Sequence, residues 1–398
     1  CLIRVLRERE LRACAVASVS GAALFSDRIG GQRRPIGIWE VALRHHAADY
    51  PIETLFLYDA NPVYETPGGP RFIDAFQKIP FIVSFSSFMD ESAQYADLVL
   101  PEPTFLERYE DDAIEGLGYP GVGLRQPVIT PRHDTLNTND FLLRVAQTMG
   151  GPVAQAFPWQ SYEEVLQFRL KNIGADWNTL KELGVWIVPG YHFARRGSQK
   201  WIDEVIGSDR SKTPRDGRFD FYSRELYALL SRLNADQLSA LNISQKGDAI
   251  YLPHYEPTAY AGDPADYPFM LNVITLMSLG PVSAAANMPT LQEISGMTVG
   301  ETWGSWLEMN PAAALELGLA DKDPVWVESP FGKVKTKVRY VKALRLDVVN
   351  LPHNQGHTAI GRWAKDRGVN GLALLNPATE PAAGLAAFTN TRVKVYRV

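Results

Sequence analysis

Cysteine is nearly absent. The 398 residues hold only Cys1 and Cys14. Neither sits in a C-x-x-C pair, so this segment is expected to carry no iron–sulfur cluster, no metal knuckle and no disulfide framework. A dominant charge is lacking too, with 40 Lys and Arg against 45 Asp and Glu and a net charge of −5. No basic run is long enough to line a nucleic-acid groove or to grip an anionic membrane, so neither is an expected partner. Long apolar runs are represented by one stretch, Tyr267 to Gln292, which contains no charged residue. It is long enough on paper to cross a bilayer. Pro268, Asn272, Gly280, Pro281, Asn287 and Pro289 would break or strain a lipid-exposed helix. The spacing predicts instead a buried strand near Met270 to Met277 followed by a loop, and no direct membrane span. None of G-x-G-x-x-G, G-x-x-x-x-G-K-S/T or G-x-S-x-G occurs with the strand and helix that it needs, which argues against nucleotide hydrolysis and serine-hydrolase chemistry.

The chain opens on Cys1 rather than Met, with no recognisable charged and apolar leader. Residues 1–34 are expected to be an uncertain and poorly folded N-terminal segment, either a truncated terminus or the start of a fragment. Hydrophobic residues at 45% and charged residues at 21% describe an ordinary globular chain. Its length suffices for two or three domains.

Residues 35–190 read as an α/β domain. Thr54 to Tyr58 is a short apolar strand stopped by Asp59-Ala60-Asn61-Pro62. Pro70 opens a helix with Phe72, Ile73, Phe76 and Ile79 on one face, and Pro80 ends it. Phe81 to Phe85 and Asp97 to Pro101 are two further strands. Strands alternating with short helices predict a parallel sheet covered on both faces. Asn139 is placed to cap a helix burying Phe141, Leu142 and Val145, and Ser161 with Glu164 forms a capping box. Residues 191–265, mixed and aromatic-rich, read as a segment connecting both domains across their surface.

Residues 266–398 change character. Asn310-Pro311 starts a short helix that Gly318 closes. Val325 to Glu328, a turn over Ser329 to Gly332, and Lys333 to Val341 form a hairpin. Its second strand alternates Val334, Thr336, Val338 and Tyr340 with Lys333, Lys335, Lys337 and Arg339. Asp347 to Leu351 and Thr391 to Val395 add strands, and the set suggests a small closed barrel.

Ligands of open α/β sheets lie beyond the carboxyl ends of the strands. Here those positions hold Asp59, Asn61 and Pro62, then Ser86, Ser87, Asp90 and Glu91, then Glu102, Thr104 and Glu107. They offer donors and acceptors for a ribose, a guanine edge or a phosphate, and would equally serve as turn formers and solvated caps. His353-Asn354-Gln355-Gly356-His357 is the densest polar cluster of the barrel half. Pro352 and Gly356 argue against one helix carrying both histidines, as an H-x-x-x-H zinc site requires. A loop offering imidazoles and amides to an anion is the alternative, because Gly356 admits close approach to the backbone. Arg362, Lys365, Arg367 and Asn370 follow, either facing a phosphate or forming an exposed basic helix.

The ordered signatures Asp59-Ala60-Asn61-Pro62, Phe81 to Phe85 and Asp90-Glu91-Ser92-Ala93-Gln94-Tyr95-Ala96-Asp97-Leu98-Val99-Leu100-Pro101, then Glu107, resemble the molybdopterin oxidoreductases of the dimethyl sulfoxide reductase superfamily. Glu308 to Pro311, Ala314 with Gly318, Val325 to Gly332 and the Gly356-His357 loop resemble that superfamily's dinucleotide-binding domain, a double-psi β-barrel. Asn287 to Glu293, Trp303 to Trp306 and Gln355 to Arg362 resemble the branch of polysulfide reductase, menaquinone reductase and alternative complex III. The resemblance covers about residues 50 to 398 and departs at Asp323-Pro324, where a typical barrel carries Gly-Asp.

It implies the C-terminal half of a subunit that binds bis(pyranopterin guanine dinucleotide) and molybdenum and takes part in electron transfer. Cofactor contacts are implied at Asp59, Asn61, Pro62, Ser86, Asp90, Glu91, Asp97, Gly356, His357, Arg362 and Asn370, with no catalytic residue and no metal ligand among them. The implied setting is the periplasmic side of a respiratory complex, beside an iron–sulfur subunit and a quinone-reactive membrane subunit. A cofactor-free scaffold docking the iron–sulfur subunit is the alternative, since some of this branch have lost the pterin. The superfamily's metal ligand lies upstream of the matched region. The isolated chain is therefore expected not to turn over a sulfur oxyanion or a quinol, and measurable turnover of either would contradict this.

Overall fold

The computed structural model describes residues 14–17, 25–29, 32–36, 52–114, 121–190, 221–241, 243–280, 283–294, 303–378 and 389–398. Expectations for the rest of residues 1–34 and for residues 191–220 lie outside them. Two compact units form, one from residues 1–101 with 258–398, the other from residues 102–257. Divisions after residues 34, 190 and 265 follow composition along the chain, whereas compactness groups segments far apart in sequence.

In the first unit, β1 (Cys14–Ala17) is strand despite lying in the stretch expected to fold poorly. It pairs in parallel with β4 (Thr54–Tyr58), while β2 (Phe25–Ile29) and β3 (Gln32–Ile36) form a separate antiparallel hairpin. With β5 (Phe81–Ser86) and β6 (Leu98–Pro101) the sheet order is β1-β4-β5-β6, every neighbour parallel. Ile82, Val83, Ser84 and Phe85 of β5 are all buried. Consecutive burial along a strand requires cover on both faces, the usual state of a parallel sheet. The helix Pro70–Phe76 supplies one cover, packing Phe72 and Phe76 with Ile79 onto Leu55, Leu57 and Ile82.

The second unit carries an antiparallel sheet of β7 (Glu110–Ile114), β8 (Gly121–Arg125) and β9 (Val185–Ile187). Leu124 packs there with Leu166, Leu170, Ala175 and Leu180 from the helices Tyr162–Asn172 and Trp177–Leu183. Two sequence expectations shift. Asn137, not Asn139, caps the helix Thr138–Met149, its Oδ1 accepting from the Asn139 N–H at 2.8 Å. The buried face consequently moves to Leu143 and Ala146, leaving Phe141, Leu142 and Val145 half-buried. Ser161 does cap its helix, but the Glu164 carboxylate accepts from the N–H of Gln160 rather than of Ser161. Residues 221–257 belong to this unit and hold two short helices, Arg224–Leu230 and Ala235–Ala240.

The chain then returns to the first unit as a closed barrel. Its strands are β10 (Phe269–Ile274), β11 (Leu307–Met309), β12 (Pro324–Glu328), β13 (Lys333–Tyr340), β14 (Val348–Pro352) and β15 (Arg392–Arg397), in the order β10-β14-β11-β13-β12-β15. β10 with β14 and β11 with β13 pair in parallel and the rest antiparallel, so the chain crosses over rather than running up and down. Leu271, Leu307, Met309, Val325, Val327, Val338, Val349, Leu351 and Val393 fill the interior. Asn310 Oδ1 caps the helix Pro311–Glu316 by accepting from the Ala312 N–H at 2.9 Å. The uncharged run becomes β10, a 3-10 turn at Ser283–Asn287 and the helix Pro289–Gln292. Among the described residues no helix is long and apolar enough to cross a membrane.

Leu307 is fully buried, so Leu307→Ala should cost about 2–5 kcal/mol in urea unfolding. Leu315→Ala, on an exposed position, should stay within about 0.5 kcal/mol of wild type. Equal losses at both would contradict the placement of the core.

Candidate cofactor-binding site

Three strand ends meet in the first unit: the loop after β4 with Asn61, the loop after β5 with Asp90 and Glu91, and the loop after β14 with His353 to His357. At their junction lies the Glu91 carboxylate, 5% exposed as a residue. Oε2 accepts from Asn61 Nδ2 at 2.7 Å, and Oε1 accepts from the N–H groups of Thr358 at 2.8 Å and Ala359 at 3.0 Å. His357 Nδ1 lies 3.0 Å from Oε1. Burial opposes the charged carboxylate. The hydrogen bond and charge of His357, with the Asn61 and Ala359 donors, outweigh it and hold Glu91 down at about 2. Its neighbour Asp90 goes the other way. Burial first, then the charge of Glu91, raise it to about 6, against the pull of the Ala93 and Ser92 N–H groups on Oδ1.

Asn61 is spent on the same junction. Its Oδ1 accepts from the Ser92 N–H at 3.1 Å and the Ser92 hydroxyl at 2.8 Å, so its side chain does not cap the helix Pro62–Glu65 that Pro62 opens. Two residues into that helix, Tyr64 stacks on His357 with ring centroids 3.6 Å apart and 18° between planes. The single Tyr64 hydroxyl proton faces two carbonyls, His353 O and Gln355 O. Burial, then the charges of Glu91 and Glu65, raise the Tyr64 pKa well above the ordinary phenol value, so the proton stays in place. Asn370 Nδ2 donates to Tyr64 O at 2.9 Å while its Oδ1 accepts from the Leu372 N–H at 2.9 Å.

The barrel loop is held as tightly. Gly356 has φ +83°, and a Cβ there would come within 2.3 Å of the Asn370 nitrogen. Its freedom is therefore taken up by the backbone of residues 369–370. Gly361 at φ +66° lets Asn287 approach, and Asn287 Oδ1 accepts from the Trp363 N–H at 2.7 Å. The two histidines do not face a common point. His353 Nε2 meets the Thr275 hydroxyl at 2.8 Å, with burial lowering its pKa, while His357 turns to Glu91. Ile360 sits at φ +36°, an uncommon conformation for a β-branched residue.

The candidate residues thus fall into groups. Asn61, Pro62, Glu91, Gly356, His357 and Asn370 are brought together, and Ser86 borders them through the Asp90 carboxylate at 3.3 Å. Asp59 ends β4 exposed, at φ +44°. Arg362 is exposed, its guanidinium 4.4 Å over the Trp363 ring. Asp97 is elsewhere. It precedes β6 and accepts from the Ile82 N–H at the start of β5, the opposite end of the sheet from Asn61, because parallel strands put their starts together. At this junction two buried atoms, His357 Nε2 and Gln355 Oε1, have no hydrogen-bond partner among the described residues. Sequence reasoning missed Tyr64 as part of the junction, and named Ser92, Gln292 and Gln355 only within longer motifs, with no contact role of their own. Gln292 Oε1 accepts from Gln355 Nε2 at 2.7 Å, and both glutamines are fully buried. The one usable signal was a glutamine closing an otherwise apolar run.

Comparison with known proteins fits this architecture. The molybdopterin oxidoreductase family model matches residues 36–120, and that of the molydopterin dinucleotide binding domain matches residues 290–392. Residues 36–120 and 290–392 are thus two domains of the molybdopterin oxidoreductase type. It is 30% identical over 400 residues to the menaquinone reductase, molybdopterin-binding-like subunit of Nitratidesulfovibrio vulgaris, covering 99% of this chain and 48% of that protein. It is 23% identical to an arsenate respiratory reductase molybdopterin-containing subunit of a Shewanella species, covering 88% of this chain and 45% of that one. Acetylene hydratase from Pelobacter acetylenicus shares the fold, with a TM-score of 0.65 at 20% identity over 91% of this chain and 46% of its own. The chain spans about half the length of these relatives.

Loss of the Glu91 charge should be costly. Glu91→Gln leaves the buried His357 without its carboxylate and should destabilise by about 3 kcal/mol or more. The folded pKa of Glu91 lies below its ordinary 4.5, so its stabilisation is complete above pH 4.5 and fades as pH falls through about 2. Asp90 is raised from 3.8 to about 6, so its contribution is complete below pH 3.8 and lost as pH rises through about 6. Urea midpoints against pH should show the wild-type advantage over Glu91→Gln shrinking below pH 4.5. They should also show Asp90→Asn gaining on wild type between pH 4 and 6. A pH-independent gap for Glu91→Gln would contradict the charge assignment.

Proposed function

We propose that this chain is the C-terminal part of a molybdopterin-dependent oxidoreductase subunit that helps hold a pterin guanine dinucleotide and takes part in electron transfer within a quinone-linked respiratory complex. The supporting observation is the junction itself. Sheet loops and barrel loop converge on one buried carboxylate, and beside it His357 Nε2 and Gln355 Oε1 have no partner among the described residues. Such atoms are costly unless something bonds to them. A pterin or guanine, rich in ring nitrogens and amino groups, has the matching donors and acceptors. Arg362, Lys365 and Arg367, all exposed, suit its phosphates, and Asp59 and Ser86 suit amino or hydroxyl groups. When bound, the pterin-held metal supplies two-electron redox chemistry. This chain's share is to bind and orient: Glu91 fixes the His357 ring through Nδ1, leaving Nε2 as the atom that meets a ligand. The mixed parallel and antiparallel pairing of the barrel supports reading it as the double-psi type.

The relatives named for menaquinone and arsenate reduction support a respiratory setting. An iron–sulfur subunit and a quinone-reactive membrane subunit as partners, on the periplasmic side, belong to the same proposal. A second reading, a scaffold without cofactor, draws on Asn61, Glu91 and Asn370, whose side chains are occupied by protein partners. Metal analysis and pterin fluorescence on the full-length parent, purified with its partners, separate the two. The proposal expects molybdenum or tungsten together with pterin. Absence of both in the intact complex would overturn it in favour of the scaffold.

A further inference from the structure

A second surface lies outside the junction, on the outer wall of the barrel. In the register of β12, β13 and β15, Trp326 stands opposite Lys335 on one side and Tyr396 on the other, and Glu328 opposite Lys333 and Lys394. Lys337 extends the row on β13, opposite Pro324. The inward positions Val325, Val327, Thr336, Val338, Val393 and Val395 are buried, so all these side chains share the outward face. Four lysines against one glutamate thus crowd three adjacent strands of a chain whose net charge is −5.

Lysine on a strand commonly guards an open sheet edge against pairing with another chain. A closed barrel has no edge to guard, so that explanation does not apply here. Like charges on neighbouring strands repel. Glu328 offsets part of this, with Lys394 Nζ at 2.9 Å from one carboxylate oxygen and Lys333 Nζ at 4.0 Å from the other, which also accepts from the Tyr396 hydroxyl. Lys335 has no ion-pair partner among the described residues.

Two of the four lysines are also held in place. Lys333 Nζ lies 4.1 Å from the Trp326 ring centroid and 5.1 Å from that of Tyr396, and Lys394 Nζ lies 5.4 Å from Tyr267. Cation–π contact fixes the stems before any partner arrives, which reduces the entropy lost on binding. Lysine side chains leave β13 every ~7 Å, two residues of strand rise. Carboxylates on alternate residues of an extended segment have the same repeat. The half-buried rings lie beneath the ammonium groups rather than projecting, which disfavours insertion into lipid and stacking on bases.

We propose that the outer face of β12, β13 and β15 docks a carboxylate-rich extended segment of a partner protein. This is independent of whether the junction holds a pterin. The test is fluorescence anisotropy of a labelled peptide alternating Glu and Thr, titrated with the full-length parent chain. Saturable binding that weakens as salt rises is expected. Lys335→Glu with Lys337→Glu should weaken it by about tenfold or more. Lys78→Glu with Lys171→Glu, exposed positions changing net charge equally, should leave it unchanged. Thermal melts followed by circular dichroism verify folding, and Lys335→Gln with Lys337→Gln, which adds no negative charge, should give an intermediate loss. Absence of salt-sensitive binding, or an equal loss from the control pair, would overturn the proposal. So would tighter binding to phosphatidylglycerol vesicles or to duplex DNA than to the peptide.

Discussion

A carboxylate cannot be buried in a protein unless nearly every lone pair finds a donor. Glu91 meets that condition only because two separate stretches of chain deliver donors to it: Asn61 from the sheet, and the His357 ring with the Thr358 and Ala359 amides from the barrel loop. Each stretch is fixed in turn. Asn61 is held by Ser92, the His357 ring by its stack on Tyr64, and the loop by Gly356 against the backbone of residues 369–370. Stability of the pair and the relative placement of sheet and barrel are one constraint.

That constraint also explains a division of labour among polar residues that look alike in sequence. Asn61, Glu91 and Asn370 serve the protein itself. The imidazole they orient keeps its second nitrogen without a partner among the described residues, and exposed cations lie a few residues along the chain at Arg362, Lys365 and Arg367. Rigid carriers behind a few uncommitted atoms are what a binding site for a large polar cofactor requires, since ligand affinity gains from groups that need no reordering. In a scaffold, the same network would fix sheet to barrel without a ligand.

Much of the fold was legible because it rests on local pattern. TLFLY at residues 54–58 is β4 residue for residue, and the alternation of Lys333 to Tyr340 gives β13 its wet and dry faces. The cap at Asn137 was misread by two positions because several Asn and Thr residues in a row can each begin a helix, and the choice falls to tertiary contact: Thr138 is bonded to the buried Glu102. Asn61, Glu91 and His357 could be singled out individually as polar residues after strands. Their direct contact could not, since Glu91 and His357 are 266 residues apart and only the packing of sheet against barrel joins them. Asp97 shows the converse: its place in a family motif suggested a ligand role, yet its position before a strand puts it at the other end of the sheet.

A double-mutant cycle between Glu91 and His357, read as unfolding free energy at pH 7, tests the junction most directly. Glu91→Gln, His357→Asn and the double variant should give a coupling of about 2 kcal/mol, in the range for contacting residues of one hydrogen-bond network. Additivity within about 0.3 kcal/mol would mean that the two side chains do not depend on each other, and that sheet and barrel are held together by something else.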